Sequence, residues 1–364
     1  MAATEEYERN VSTAVGAVNE LSQMMLSDLD IERGGFGWWH GYLDWKRVAL
    51  ISEYTLASLI GTSESIIAAA LQVQEHREAT FADNTWMHQQ LTAAGRIPGA
   101  STSTFMKAIQ RGPHERRRDR RANLAQEHVF YHLAQCFDRL AATIIGVAAV
   151  RADIVTADWR VIESCMRNQK QESRYLEPPG TEPRQAQNDV FLAISRSIQA
   201  GPPDWLAWLQ RTRDTAAHRA PMFDWMVQVK EGRSLRWVKP LHRQPDWTST
   251  EAMISAEGVE AMFLWKDPNT VLSGMLNLTN STVTNAISQA TQLWNKRKGD
   301  TRLLIQPGEQ WRELDSRRAL EFDGFGDDLP EPTKGSAVHV HPDTARRLKA
   351  LKLLDANLDH WRSR

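Results

Sequence analysis

Between residues 121 and 150 the chain carries Val129, Phe130, Leu133, Phe137, Leu140, Ile144, Ile145 and Ala148 at helical spacing. These positions line most of a helix's girth rather than a single stripe, so the helix they form has to be nearly buried. A helix buried on most sides needs other elements packed around it, and this requirement limits the chain to helix-rich layered architectures. The sequence can meet it, because 41% of its 364 residues are hydrophobic, enough for one large domain or two ordinary ones. Fourteen tryptophans add large apolar anchors, among them Trp38, Trp39, Trp45, Trp159, Trp205, Trp208, Trp225 and Trp294.

Apolar spacing predicts further helices over 4–29, 46–77, 159–170, 185–199, 204–221, 258–265 and 270–297, with a charged amphipathic helix over 343–362. Gly61-Thr-Ser marks a kink or break in the second of these, and 80–112 reads as less regular. Alternation in Met226-Val-Gln-Val-Lys and Ser234-Leu-Arg-Trp-Val-Lys predicts a short hairpin within 225–237. The expected fold is mainly α: a bundle of four to five core helices over 46–297, with a minor β-hairpin. An N-terminal helix and aromatic-rich turn (1–45) precede it, and an irregular C-terminal extension (298–364) follows.

Net charge is −1, so attraction to nucleic acid has to be local rather than global. Cys136 and Cys165 are too few for a disulfide framework, which suits a reducing cytosol. The acidic, polar N-terminus lacks a signal-peptide layout, and the run Leu140 to Val150 is shorter than the roughly 20 residues of a membrane helix. The expectation is a cytoplasmic protein with no membrane partner.

Residues 204–221 combine two textures. Asp204 follows Pro202-Pro203 where a helix cap belongs, and the first turns are apolar and tryptophan-rich. The last turns hold Arg211, Arg213, Asp214, His218 and Arg219, before Pro221 stops the helix. Arginine grips phosphate oxygens in a bidentate fork, and histidine moves protons near neutral pH. Together they suit metal-free cleavage of RNA, in which a base deprotonates the 2′-OH, that oxygen attacks phosphorus, and cations stabilise the developing charge. Asp214, four residues before His218, is spaced to orient the imidazole. Arg213 and His218 lie roughly 140° apart on an ideal helix. They converge on one phosphate only where the helix is ending or a second chain completes the site.

Arg213-Asp214-x3-His218, closing a helix within an all-helical bundle, resembles the signature of the HEPN superfamily, an Arg-x4–6-His motif with a polar residue after the arginine. The resemblance covers about residues 46–297. It implies a HEPN-like bundle of four to five core helices, a metal-independent endoribonuclease activity without cofactor, and a homodimer, as in toxin, antiviral defence and RNA-processing systems. Arg213, Asp214 and His218 are the catalytic residues it implies. Other members of that superfamily have lost catalysis and serve as scaffolds or binding modules. Arg33 with His40, Arg121 with His128, and Arg236 with His242 repeat the spacing, but none has the polar residue or closes an apolar helix before a proline.

A second basic feature is His114-Glu-Arg-Arg-Arg-Asp-Arg-Arg121, whose Arg116, Arg117, Arg118, Arg120 and Arg121 are candidate RNA contacts together with Arg211. The plain alternative is a solvated helix start, although positive charge there opposes the helix dipole. His128, His132 and Cys136 recur every fourth residue, yet three ligands from one straight helix seldom converge, so a polar seam is expected and no metal. His339 and His341, with Asp323, Asp327 and Asp328 upstream, read as a solvated linker, and Gly34-Gly35-Phe-Gly37 lacks the setting of a phosphate loop. Two readings stand beside the nuclease: a helical scaffold that binds a partner protein, and an RNA or DNA binder acting through Arg116–Arg121.

Overall fold

The computed structural model describes residues 5–39, 45–167, 173–218, 225–231, 234–300, 303, 321, 324–325 and 341–351. In chain order the helices are α1 (Glu6–Arg9), α2 (Ser12–Ser27), α3 (Trp45–Gly95), α4 (Thr102–Ala108), α5 (Pro113–Ala148), α6 (Trp159–Arg167), α7 (Glu182–Gln199) and α8 (Trp205–His218). Strands β1 (Val227–Glu231), β2 (Ser234–Val238) and β3 (Leu241–His242) precede α9 (Trp247–Glu257), and β4 (Phe263–Leu264) leads to α10 (Pro268–Gly299) and α11 (Pro342–Ala350). β1 and β2 form the expected antiparallel hairpin, in register from Val227↔Val238 to Glu231↔Ser234. β3 and β4 make a second, shorter antiparallel pair. The architecture is a mainly α bundle with a minor β element.

The chain divides into two compact units built from interleaved segments. The first comprises Met1–Gly16, Thr62–Phe137 and Ile194–Asn285, and the second Ala17–Gly61, Asp138–Ala193 and Ala286–Arg364.

The core of the first unit forms where α5 meets α8. Val129, Leu133 and Phe137 are fully buried, as the apolar girth of α5 requires, and Leu209 of α8 joins them. Phe137 meets Trp205 edge-on at 6.0 Å between ring centroids, and Phe130 meets Trp208 at 5.5 Å. Edge-to-face pairs of this kind contribute about 0.5–1.5 kcal/mol beyond the area they bury.

An aromatic hub organises the second unit. Trp294 stands edge-on to Phe36 at 4.7 Å and to Trp38 at 4.6 Å, and its indole donates to Asp28 Oδ2 at 2.7 Å. Arginines close helix ends around it. Buried Arg297 donates to the carbonyls of Gly146 and Val147 at the end of α5 and lies over the Trp38 ring at 5.3 Å. Arg346 of α11 donates to the carbonyls of Leu26 and Ser27 in the last turn of α2 and of Leu29 just beyond it.

Several elements differ from the sequence expectation. α3 is continuous through Gly61, with no break there. Within the second unit Arg139 lies against that glycine: a Cβ would stand 3.0 Å from Arg139 Cδ, and Arg139 donates to the Gly61 carbonyl at 2.8 Å. The glycine serves a close contact rather than a bend. α3 also continues to Gly95, where irregular chain was expected. Thr80, Asn84 and Thr85, poor helix formers, donate to the carbonyls of His76, Thr80 and Phe81 one turn back and are satisfied inside the helix.

α5 starts at Pro113, so the basic block lies within the helix rather than ahead of it. The helix expected at 258–265 is a single 3₁₀ turn, Val259–Met262, followed by β4. α9 was not expected, because only Thr250 of it is buried and no apolar period marks it. Its signal is the cap, with Asp246 accepting from the Ser249 N–H at 2.8 Å. Of the tail helix expected over 343–362, Pro342–Ala350 is helical with Leu351 as its cap, and 352–362 fall outside the described residues, as do His339, Asp323, Asp327 and Asp328.

One stretch of α3, within Val48–Gly95, has the length and the mean hydropathy (1.4) of a membrane span. Of its most apolar window 56% is buried inside the fold, as in a core helix, an arrangement compatible with a water-soluble protein.

Candidate functional site

α8 is set in place by its first turn. Gly201 allows the entering chain to pass closely, since a Cβ there would stand 2.7 Å from Leu278 and 2.8 Å from Trp205. The Trp205 indole donates to the Ile198 carbonyl at 3.0 Å and that of Trp208 to the Arg243 carbonyl at 3.2 Å. Asp204 starts the helix through its backbone, with its carbonyl accepting from the Trp208 N–H at 2.8 Å and a φ of +59°, a left-handed conformation that aspartate tolerates better than most residues. This differs from the side-chain cap expected of it.

The polar end is helical as far as His218, and Arg219 and Pro221 lie outside the described residues. Arg213 is largely covered, with 26% of its side chain exposed, and its Nε stands 2.9 Å from Asp214 Oδ1. The Asp214 carboxylate thus faces the arginine beside it. His218 and Arg211 are exposed. Since the helix is unbroken, Arg213 and His218 project roughly 140° apart, while Arg211 and His218 share a stripe about 10 Å long. Arg211 also lies near Asp246, whose carboxyl is held below the usual range chiefly by the Ser249 N–H, with the charge of Arg211 assisting.

The five arginines at 116–121 on α5 separate into two groups. Arg118 lies 3.7 Å from Asp83 and Arg121 pairs with Glu75, both acids on α3, so these two neutralise carboxylates. Arg116, Arg117 and Arg120 are exposed, and among the described residues no ion pair engages them. The seam residues are also separated in role. His128 and His132 stand 6.1 Å apart between ring centroids, while Cys136 is buried with its Sγ 3.7 Å from the Thr62 carbonyl. Among the described residues no three His, Cys, Asp or Glu side chains gather as metal ligands. Burial pushes the other thiol, Cys165, up to about 12, so it is held protonated.

Two features had no motif to announce them. One is a charged cluster around a small cavity of about 60 Å³. Arg111 bonds Asp83 at 2.6 Å and Asp119 at 2.8 Å, Lys239 bonds Asp119 at 2.6 Å, and Arg236 bonds Asp267 at 2.5 Å. Burial raises Asp83 above the usual carboxylate value, against the pull of Arg111 and Arg118. Burial also acts to raise Asp119, but hydrogen bonds and charge from Lys239 and Arg111 outweigh it and hold that carboxyl low. His76 is lowered by burial, against its contact with Asn269 at 2.8 Å.

The other feature is a cleft of about 480 Å³ beside α8, within the range of small-ligand sites. Phe130, Trp208 and Trp225 supply aromatic walls, and Gln126, Thr212 and Thr215 supply polar ones. α8 faces it with Thr212, Thr215 and Ala216, whereas Arg213, Asp214 and His218 do not line it. The cluster and the cleft each draw on segments far apart in sequence, which is why spacing did not reveal them.

No protein-family model, curated protein or solved structure matches the chain.

Proposed function

We propose that this chain is a metal-independent endoribonuclease of the HEPN type, cytoplasmic, acting as a homodimer in a defence or toxin-type system. The observation that carries the reading is the form of α8: Trp205 and Leu209 anchor its first turns in the core, while its last turn ends on the exposed His218. A side chain that moves protons thereby stands on a rigid base, with Arg213 and Arg211 on the preceding turns. In the reaction the 2′-oxygen of the RNA loses its proton to a base, attacks the adjacent phosphorus and expels the 5′-oxygen, which takes up a proton. His218 serves one of these transfers, and Arg213 stabilises the charge on phosphorus. Because the two project apart from one helix, the α8 end of a second copy completes the site.

The test is cleavage of single-stranded RNA in EDTA by wild type, His218→Ala and Arg213→Ala purified side by side. The expected result is a loss of about 10²–10⁴ in rate for His218→Ala, the usual contribution of a positioned acid or base. Equal cleavage by wild type and His218→Ala would overturn the reading.

A second reading, an RNA binder without chemistry, is favoured by one observation: the exposure of Arg116, Arg117 and Arg120 on one side of α5. It predicts RNA binding that depends on those arginines and is indifferent to His218.

A further inference from the structure

The 480 Å³ cleft beside α8 has a lining with a definite chemistry. Phe130 and Trp208 are locked edge-to-face at 5.5 Å and 82°, so their positions are fixed before any ligand arrives. Trp225 stands 47% exposed and leans on Phe263 at 5.5 Å between centroids, leaving part of its ring to solvent. A half-uncovered indole facing a fixed aromatic pair is a stacking surface for a flat ring.

α5, which also carries Phe130, supplies polar groups to the cleft. Asn123 and Gln126, one turn apart, both line the cleft. The Asn123 side-chain oxygen Oδ1 accepts from Lys239 at 3.1 Å, but among the described residues no hydrogen bond engages the Gln126 amide. An amide presents one acceptor and a donor side by side, and a matching donor and acceptor lie side by side on the edge of a nucleobase. Lys239 lines the same cleft, but its ammonium is engaged by Asp119 at 2.6 Å and the Glu127 carboxylate lines the cleft as well, so recognition rests on the base rather than on a phosphate.

We propose that this cleft binds an unstacked nucleobase, a purine in preference because its two fused rings cover more of Trp225, with its edge on Gln126. The base arrives on a free nucleotide or on an unpaired strand. The site is independent of the cleavage reading, since none of Arg213, Asp214 and His218 lines it.

Calorimetric titration of the full chain with AMP, UMP, ribose 5-phosphate and octamers of oligoadenylate and oligouridylate tests this. The expected result is binding of AMP above UMP, and no comparable binding of ribose 5-phosphate. Trp225→Ala, at an exposed position, weakens AMP binding about ten-fold, as loss of one stacking partner does. Gln126→Leu weakens AMP binding by removing the hydrogen bonds to the base edge. A tighter mononucleotide than octamer identifies the free nucleotide as the natural source, and the reverse order identifies the strand. Melting curves and circular dichroism that match wild type show that the variants are folded. Absence of AMP and oligoadenylate binding at millimolar concentration overturns the proposal. So does equal affinity for ribose 5-phosphate, or wild-type affinity and preference in both variants.

Discussion

Asp83 and Asp119 share one cluster and one set of cations, yet their acidities are displaced in opposite directions. Asp119 is lowered from the ordinary value of 3.8, so its contribution to stability is present above 3.8 and is lost as pH falls through its folded value. Asp83 is raised, so its contribution is full below 3.8 and is lost as pH rises through its folded value. At neutral pH Asp119 stabilises the cluster, whereas the charge on Asp83 is held there against its burial. Asp119→Asn should therefore lower stability at pH 7 by about 1–3 kcal/mol, the cost of leaving buried donors unmet. The deficit should shrink as the solution is acidified below 3.8, where wild type loses the same interaction. Urea denaturation at a series of pH values measures both, and a deficit that stayed constant with pH would contradict the assignment.

Helices α3 and α5 meet in the second unit with very little room. A Cβ on Gly146 would stand 2.5 Å from Thr55 Oγ1, and Thr55 is itself fully buried and bonded to the Ile51 carbonyl at 2.8 Å. In an open helix Gly→Ala stabilises by about 1 kcal/mol. Here overpacking, at about 1–3 kcal/mol, opposes that gain and exceeds it. Gly146→Ala is expected to lower the denaturation midpoint, and Thr55→Ala in the same chain to restore most of the loss, a coupling that a double-mutant cycle reads directly.

The girth of α5, the tryptophan anchors of α8 and the β1–β2 hairpin were legible in the sequence, because burial and alternation leave a periodic record in residue type. α9 was not, since its face is polar and only the Asp246 cap marks it. The uninterrupted course of α3 was hidden for a different reason: Gly61 reads as a break until Arg139, far along the chain, is known to lie on it. The candidate site was legible only in part. Residue types and spacing singled out Arg213, Asp214 and His218, but the pairing of Arg213 with Asp214 and the cleft behind α8 depend on neighbours that spacing does not encode.

For the molecule as a whole, a net charge of −1 means that any hold on a polyanion rests on a local patch. Arg118 is largely covered beside Asp83, and Arg121 pairs with Glu75 while staying exposed, which leaves Arg116, Arg117 and Arg120 as the outward charges of that block that no ion pair engages among the described residues. If they contact RNA, replacing all three with glutamine flattens the plot of log affinity against log salt by about two units, given a slope of about 0.7 per phosphate on single strands. The corresponding change at the covered Arg118 should appear as lower stability instead. An unchanged salt slope in the triple variant would remove these arginines from any RNA interface.

The interleaving of the two units sets the order in which the protein can be made. The first unit is complete only when Ile194–Asn285 exists, and the second only when the segment from Ala286 onward follows. A ribosome delivers α3, with its span-like apolar stretch, long before either unit has all of its segments. Until the last third of the chain is synthesised, that helix has to wait with part of its core-facing surface uncovered, the condition under which nascent chains aggregate or engage chaperones. Each unit therefore waits on segments from the second half of the chain, and α3 keeps part of its apolar surface uncovered in the interval.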